Sequence, residues 1–363
     1  MATNCGIIGL ANTGKTTIFN CMSNTKAESS AYAFSATKSN KGIIDVPDPR
    51  LYEIDKFIHS AKVVPATVEI VDVPGLAKGS SQGEGVGNKF LADIQQTDAL
   101  IHVLRCFDDE SLPHIEGSID PARDLEIVDF ELQVRDLDLV ERKIVRTKKL
   151  AGTGDAKAKK ELQILEIYKN HLENFGNART APVEDEDRSV VHDLQLLTEK
   201  PVIYVCNVDD ASAITGNDYV EQVKKVLDEN TDVIVIAGEL EAEIAELNKE
   251  DRVDFLTDAG LKEPGVDKLI RAAYHTLNLQ SFFTAGPKEV KAWTIRKGMT
   301  APEASGVIHS DLERGFIRAE VMKYQDFIAL GSEQAVKAAG KFHVEGKHYV
   351  VEDGDIMHIR FNV

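Results

Sequence analysis

The chain has 363 residues with 43% hydrophobic and 28% charged, a formal net charge of −18, and four cysteines (Cys5, Cys21, Cys106, Cys206) without C-x-x-C spacing. Such a length and balance predict a globular protein of two or three domains with sizeable cores, and the cysteine pattern argues against a zinc ribbon or a disulfide framework. No run of about 18 apolar residues occurs and the first residues lack a basic-then-apolar leader, so the expectation is a cytoplasmic protein that makes no membrane contact.

The first element is a short buried strand, Gly6-Ile-Ile-Gly9, followed by a turn and a helix start from Thr16 to Met22. Across that junction Gly9, Gly14, Lys15 and Thr16 fit G-x-x-x-x-G-K-[ST], the phosphate-loop pattern. Glycines let consecutive N–H groups, here those of Asn12, Thr13, Gly14, Lys15, Thr16 and Thr17, face a triphosphate at a helix N-terminus. Lys15 reaches the β- and γ-phosphates, and the Thr16 hydroxyl is a Mg²⁺ ligand. Residues 23–41 are polar and weakly patterned. In phosphate-loop switch proteins a threonine of this segment senses the γ-phosphate through Mg²⁺. Thr37 is the candidate, with a plain loop threonine as the competing reading. Gly42-Ile-Ile-Asp-Val reads as a strand, and Pro47-Asp-Pro-Arg-Leu as a turn into a helix.

The next strand is rich in β-branched residues and ends in Asp72-Val-Pro-Gly75, a D-x-x-G. An aspartate there holds Mg²⁺ through water, and the Gly75 N–H faces the γ-phosphate. The following residue, where common GTPases carry a water-orienting glutamine, is Leu76. A leucine cannot hydrogen-bond water, so hydrolysis is expected to be slow or served by another group. Gly79, Gly83, Gly85 and Gly87 predict a loop able to move. Ala99–Arg105 reads as a further parallel strand, ending near Phe107, and the turn-rich loop beyond it contains His114. A loop histidine is more often merely exposed than mechanistic, and both readings stand.

From Leu125 apolar residues recur at three- and four-residue steps (Ile127, Phe130, Val134, Leu137, Ile144), predicting a long helix. Ala151-Gly-Thr-Gly-Asp breaks it, and Leu162, Leu165, Tyr168, Leu172 and Phe175 form a second stripe, so the pair reads as an antiparallel hairpin. Near its tip, residues 141–160 hold eight basic residues (Arg142, Lys143, Arg146, Lys148, Lys149, Lys157, Lys159, Lys160) against Glu141 and Asp155. The two readings are a solvated helix face and a docking patch for RNA phosphates. The α/β pattern resumes at Pro201–Asn207, a buried strand ending in Asn207-Val-Asp-Asp210, where GTPases place N-K-x-D to read the base. Val208 replaces the lysine whose stem covers guanine. The Asn207 oxygen would accept from the adenine amine, and Val208 and Phe107 would form apolar walls. Asp210 nevertheless stands where the guanine-reading aspartate belongs. Beyond Pro287, short strands and small helices predict a compact α+β module.

Taken together, the phosphate loop, Asp72-Val-Pro-Gly-Leu-Ala-Lys-Gly, Gly-Glu-Gly-Val-Gly-Asn-Lys-Phe, Asn207-Val-Asp-Asp and the end Asp353-Gly-Asp-Ile-Met-His-Ile-Arg-Phe-Asn-Val are similar to the YchF/Obg-like ATPase family along essentially the whole chain. The resemblance implies an α/β P-loop NTPase domain (1–122 and 196–280), interrupted by an antiparallel coiled-coil hairpin (123–195) and followed by a β-grasp TGS domain (281–363). It also implies Mg²⁺-dependent ATP hydrolysis and association with the ribosome, its large subunit or RNA, through the basic hairpin and the TGS domain, by a monomer. His114 occupies the loop whose histidine has been proposed in the family to replace the missing glutamine. The chain departs from the family pattern at Ala36-Thr37, where the switch threonine is displaced by one place, and at Asp210, where the family has glutamate. Two other readings remain open: a conventional GTPase, and a nucleotide-gated ribosome or RNA adaptor whose hydrolysis is incidental.

Overall fold

Asn4–Ile8 and Ala99–Cys106 are dense in apolar residues, and the second is buried at every position although it carries His102 and Arg105, so they belong inside a parallel sheet covered on both sides. The computed structural model, which describes residues 3–23, 39–75, 86–229 and 231–362, places them there. Its first sheet contains β1 (Asn4–Ile8), β2 (Asn40–Asp45), β4 (Thr67–Asp72), β5 (Ala99–Cys106), β6 (Val202–Val208) and β7 (Val233–Ala237), in the order β2-β4-β1-β5-β6-β7. Every pairing from β4 to β7 is parallel. Helices α1 (Lys15–Met22), α3 (Val86–Gln95), α4 (Pro121–Ala151), α5 (Ala156–Glu173), α6 (Asp218–Val226), α7 (Gly238–Glu246), α8 (Lys249–Asp258) and α9 (Gly265–Thr276) accompany it.

The chain divides into two units, Met1–Gly42 with Glu69–Leu269, and Ile43–Val68 with Ile270–Val363. This differs from the boundaries expected from sequence, because residues 43–68 are built into the C-terminal unit. There, α2 (Pro49–Ile58) starts on an Asp48 cap, and β3 (Val63–Val64) pairs with β9 (Val290–Arg296). Arg50 grips Asp48 and Asp353, each at 2.8 Å, and lies 5.4 Å from the Phe283 ring centre. The remaining strands are β8 (Leu279–Ala285), β10 (Phe316–Lys323), β11 (Phe342–Glu345) and β12 (Asp355–Phe361), in the sheet order β11-β10-β12-β8-β9-β3. β8 and β12 are parallel at the centre, while β8–β9 and β10–β12 are antiparallel. Helix α10 (Ala301–Ile308) buries Ala301 and Ala304 against Phe282, Ile295 and Met357, and α11 (Ser310–Arg314), α12 (Tyr324–Leu330) and α13 (Glu333–Ala338) complete the unit.

The long helix α4 does two jobs. Its first half sends Val128 and Leu132 into the core of the parallel sheet, beside Val71, Phe90 and Leu100. Only its second half, Val140 and Ile144, shares a core with Ile164, Leu165, Tyr168 and Leu172 of α5. The expected mutual packing of the two stripes therefore holds for the distal half alone. Gly154 (φ 94) turns the chain, and the Asp155 carboxylate starts α5 by accepting from the N–H groups of Lys157 and Ala158. Among the described residues, no helix is long and apolar enough to cross a membrane.

The chain re-enters the sheet through a buried carboxylate. Asp136 on α4 accepts from the N–H groups of Leu197 and Thr198 and from the Thr198 hydroxyl, each at 2.7 Å. Burial outweighs those three donors and pushes its pKa up to about 6. Removing the carboxylate leaves three buried donors without an acceptor, which costs more than relief of the charge returns. Asp136→Ala is expected to lower stability by about 3 kcal/mol in urea titrations at pH 7.

Candidate functional site

Strand β1 lies between β4 and β5, with Ile7 opposite Asp72 and Ile8 opposite His102. The chain thus changes side at the carboxyl end of β1, the place where open parallel sheets take their ligands. The loop that follows has the backbone its sequence demands. Gly9 (φ 146), Asn12 (φ 62) and Gly14 (φ 88) have positive φ, so intervening N–H groups turn toward one side. A Cβ at Gly9 would collide with the Val103 carbonyl, and one at Gly14 with the Asn207 amide. Gly14 precedes α1, whose first turn carries neither a side-chain cap nor an acidic residue. Those N–H groups are left facing the loop's concavity.

Three functional side chains converge beside it. Lys15 is buried, with Nζ donating to the Leu10 carbonyl within the loop. Burial lowers its pKa to about 8, although Asp72 pulls the other way. Thr16 Oγ1 donates to Asp72 Oδ2 at 2.9 Å. Asp72 is 4% exposed, and among the described residues its Oδ1 has no hydrogen-bond partner. Desolvation raises its pKa, against Lys15, Thr16 and Asn40, which lower it. An orphaned carboxylate oxygen next to a hydroxyl is a donor set suited to a hard divalent cation such as Mg²⁺, completed by water and phosphate oxygens. Gly75 closes the site, since a Cβ there would stand 2.8 Å from the Ala11 nitrogen and Cα. Thr13 is turned inward, with its hydroxyl on the Leu10 carbonyl at 3.2 Å, and Thr17 is half-buried on α1. Thr37 and Leu76 lie outside the described residues.

The expected base-reading residues are placed differently. Asn207 is 4% exposed, donates to the Thr13 carbonyl at 3.0 Å and accepts the Gly238 N–H at 2.9 Å. It is a strut between the phosphate loop and the β7–α7 junction, and its oxygen already has a donor. Val208, expected as an apolar wall, is turned into the hydrophobic cluster with Cys106, Val220 and Ala237. The reason is strand alternation: with Asn207 facing the phosphate loop, its neighbour must face the other side. Asp210 is exposed at the start of a 3₁₀ turn. Phe107 is half-buried, with one face covered by the Arg105 guanidinium 4.7 Å from its ring centre.

Arg105 belongs to no motif, and sequence reasoning misses it. It is 1% exposed, and it donates to the carbonyls of Phe107 (3.2 Å), Asp109 (3.2 Å) and Leu112 (2.8 Å). An arginine in a strand that is otherwise apolar but for His102 is the available signal, because a buried guanidinium has to find acceptors. The loop it shapes meets the phosphate loop where Asn12 Nδ2 donates to the Pro113 carbonyl at 3.1 Å. The next residue, His114, is not the exposed side chain expected of a loop histidine: it is buried against Asp124 of α4, Nε2 to Oδ2 2.8 Å.

The basic run on the hairpin is partly neutralised. Arg142 pairs with Asp138, Lys143 with Glu161 and Asp193, Lys148 with Glu166, and Lys160 with Asp187. Arg146, Lys149, Lys157 and Lys159 are exposed and have no ion-pair partner among the described residues.

Comparison with known proteins agrees with this geometry. A family model described as "50S ribosome-binding GTPase" matches residues 4–145, and the YchF-GTPase C-terminal model, described as a protein of unknown function, matches residues 279–362. The chain is 47% identical to the "Ribosome-binding ATPase YchF" of Haemophilus ducreyi over 364 residues, covering 100% of each. It is 45% identical to that of Bacillus subtilis over 366 residues, again covering 100% of each. The solved structure of the Schizosaccharomyces pombe YchF GTPase superposes with a TM-score of 0.86 at 34% identity, over 99% of this chain and 97% of that one. With relatives 45% and 47% identical along its whole length, the chain belongs to the YchF family.

Proposed function

We propose that the chain is a Mg²⁺-dependent, ribosome-visiting ATPase that acts as a slow switch in translation or stress responses. The observation that carries this reading is the convergence of Lys15, Thr16 and the unpartnered Asp72 oxygen on a glycine-shaped cradle of N–H groups. In this reading the N–H groups of residues 12–17 hold the triphosphate. Lys15 leaves the Leu10 carbonyl for the β- and γ-phosphates, and Thr16 and Asp72 hold Mg²⁺. When bound, the metal supplies charge neutralisation at the phosphates being separated. His114 would orient the attacking water. The names of the relatives support ATP as substrate and the ribosome as partner. Within the same reading, the α4–α5 pair is a coiled coil, the C-terminal unit is a β-grasp TGS domain, and both serve as docking surfaces of a cytoplasmic monomer.

Base choice follows from what the site lacks. Val208 offers no lysine stem to cover guanine, which favours ATP, whereas the exposed Asp210 favours the GTPase reading. Equilibrium titration with both nucleotides in Mg²⁺ is expected to give at least about tenfold tighter binding of ATP, the lower end of what pocket contacts alone discriminate. Equal affinities, or a GTP preference that disappears in Asp210→Asn, would count against ATP.

A further inference from the structure

We propose that Asp124 is a positioning residue that latches His114 away from its working pose, so that hydrolysis requires the Nε2–carboxylate hydrogen bond to open. The inference rests on the reading of His114 as the water-orienting group. Both ring nitrogens are engaged. Nδ1 accepts the N–H of Glu116 at 3.1 Å, which puts the ring proton on Nε2, and Nε2 donates to Asp124 Oδ2 at 2.8 Å. The two side chains are 3% and 1% exposed, so neither ring nitrogen is left for water in this pose.

The carboxylate is anchored independently of the histidine. Its other oxygen accepts from Arg123 Nε at 3.1 Å and Nη2 at 2.8 Å, and Arg123 also holds the Ser118 hydroxyl and carbonyl. On the near side, Arg105 and Asn12 fix the backbone up to Pro113. On the far side lies Gly117, with φ 77 and nothing within 4 Å of where its Cβ would stand. The ring therefore hangs between a fixed point beside the phosphate loop and a turn closed by the Gly117 N–H on the His114 carbonyl at 3.0 Å and tied at Ser118 to Arg123. It leaves its pocket by breaking one charge-assisted bond and one N–H contact. A charge-assisted hydrogen bond biases such an equilibrium by roughly tenfold or more. Whatever binds the open pose better can recover up to that factor in rate and no more.

The test uses the full-length protein. Single-turnover hydrolysis at saturating Mg-ATP and equilibrium nucleotide affinity are measured for the parent, Asp124→Ala, Asp124→Asn, His114→Ala and the His114→Ala/Asp124→Ala double variant. Asp124→Ala is expected to raise the hydrolysis rate constant by about five- to tenfold with nucleotide affinity within twofold. The gain should vanish in the double variant. Asp124→Asn keeps an acceptor oxygen and the side chain's size. It should show a smaller rate gain, together with faster solvent exchange of the His114 ring N–H in NMR spectra. If Asp124→Ala fails to fold, the Asn variant alone decides. A folded Asp124 variant that hydrolyses ATP at or below the parental rate overturns the latch. A gain that survives in the double variant, with His114→Ala at the parental rate, instead overturns the role of His114.

Discussion

Lys15→Ala is expected to weaken binding of Mg-ATP by roughly 100-fold or more while leaving the fold intact. The ammonium is the one cation in the phosphate loop, and its nearest partner is the Leu10 carbonyl, a weak acceptor compared with a polyphosphate. Removing it takes away a charge-assisted contact from a buried side chain. Stability should change little, because an ammonium held at a pKa of about 8 by burial gives the folded state nothing to lose at neutral pH. The same pKa makes binding pH-dependent with a definite sign. Below about pH 8 Lys15 is already charged in the free protein, so binding takes up little proton there. Above it, the phosphates raise the pKa again and each binding event takes up a proton, so affinity falls by up to about tenfold per pH unit. Calorimetric titration from pH 7 to 9.5 in buffers of different ionisation enthalpy reads both effects. A folded Lys15→Ala protein with parental affinity would remove the phosphate loop from the reading.

The parts of this site legible in the sequence are those that depend on local chain geometry. Gly9 (φ 146) and Gly14 (φ 88) are required by the positive φ of the turn, and a spacing pattern captures that because this constraint lies within a few residues. A continuous apolar run such as β5 and a clear helical period such as the distal half of α4 are equally visible. What escapes is set by partners distant in the chain. Lys160 finds Asp187, and Lys143 finds Asp193, across the hairpin, so a run that looks uniformly basic keeps only part of its charge. Residues 43–68 sit between two elements of the nucleotide unit in sequence, yet their apolar and ionic partners, Phe283 and Asp353, come from the C-terminal end. His114 reads as a loop residue because nothing local announces that a carboxylate ten residues on will bury it. Asn207 and Val208 both fall to the base when the tetrad is read as a block, whereas a strand turns adjacent side chains to opposite faces.

The neutralisation on the hairpin sharpens where RNA contact is to be sought. A chain with a net charge of −18 is repelled by phosphate at long range, so any docking must rely on a local group of unpaired cations. Arg146 and Lys149 on α4 and Lys157 and Lys159 on α5 fit that role, flanking the exposed Val145 and Leu150 near the turn between the helices. Changing these four to Glu leaves the internal ion pairs of Lys143, Lys148 and Lys160 in place, so the hairpin itself should persist in circular dichroism. Each lost phosphate contact removes close to one unit of slope from log affinity against log salt. If all four touch RNA, the slope is expected to fall by about 3, and affinity near 0.1 M salt by roughly 100-fold or more, in ribosome co-sedimentation across a salt series. Reversal of Lys148 and Lys160 alone serves as the comparison. Those charges are already balanced within the hairpin, so the slope should barely move even if stability drops. Parental binding and slope in the fourfold variant would take the hairpin tip out of the interface and leave the C-terminal unit as the surface to test.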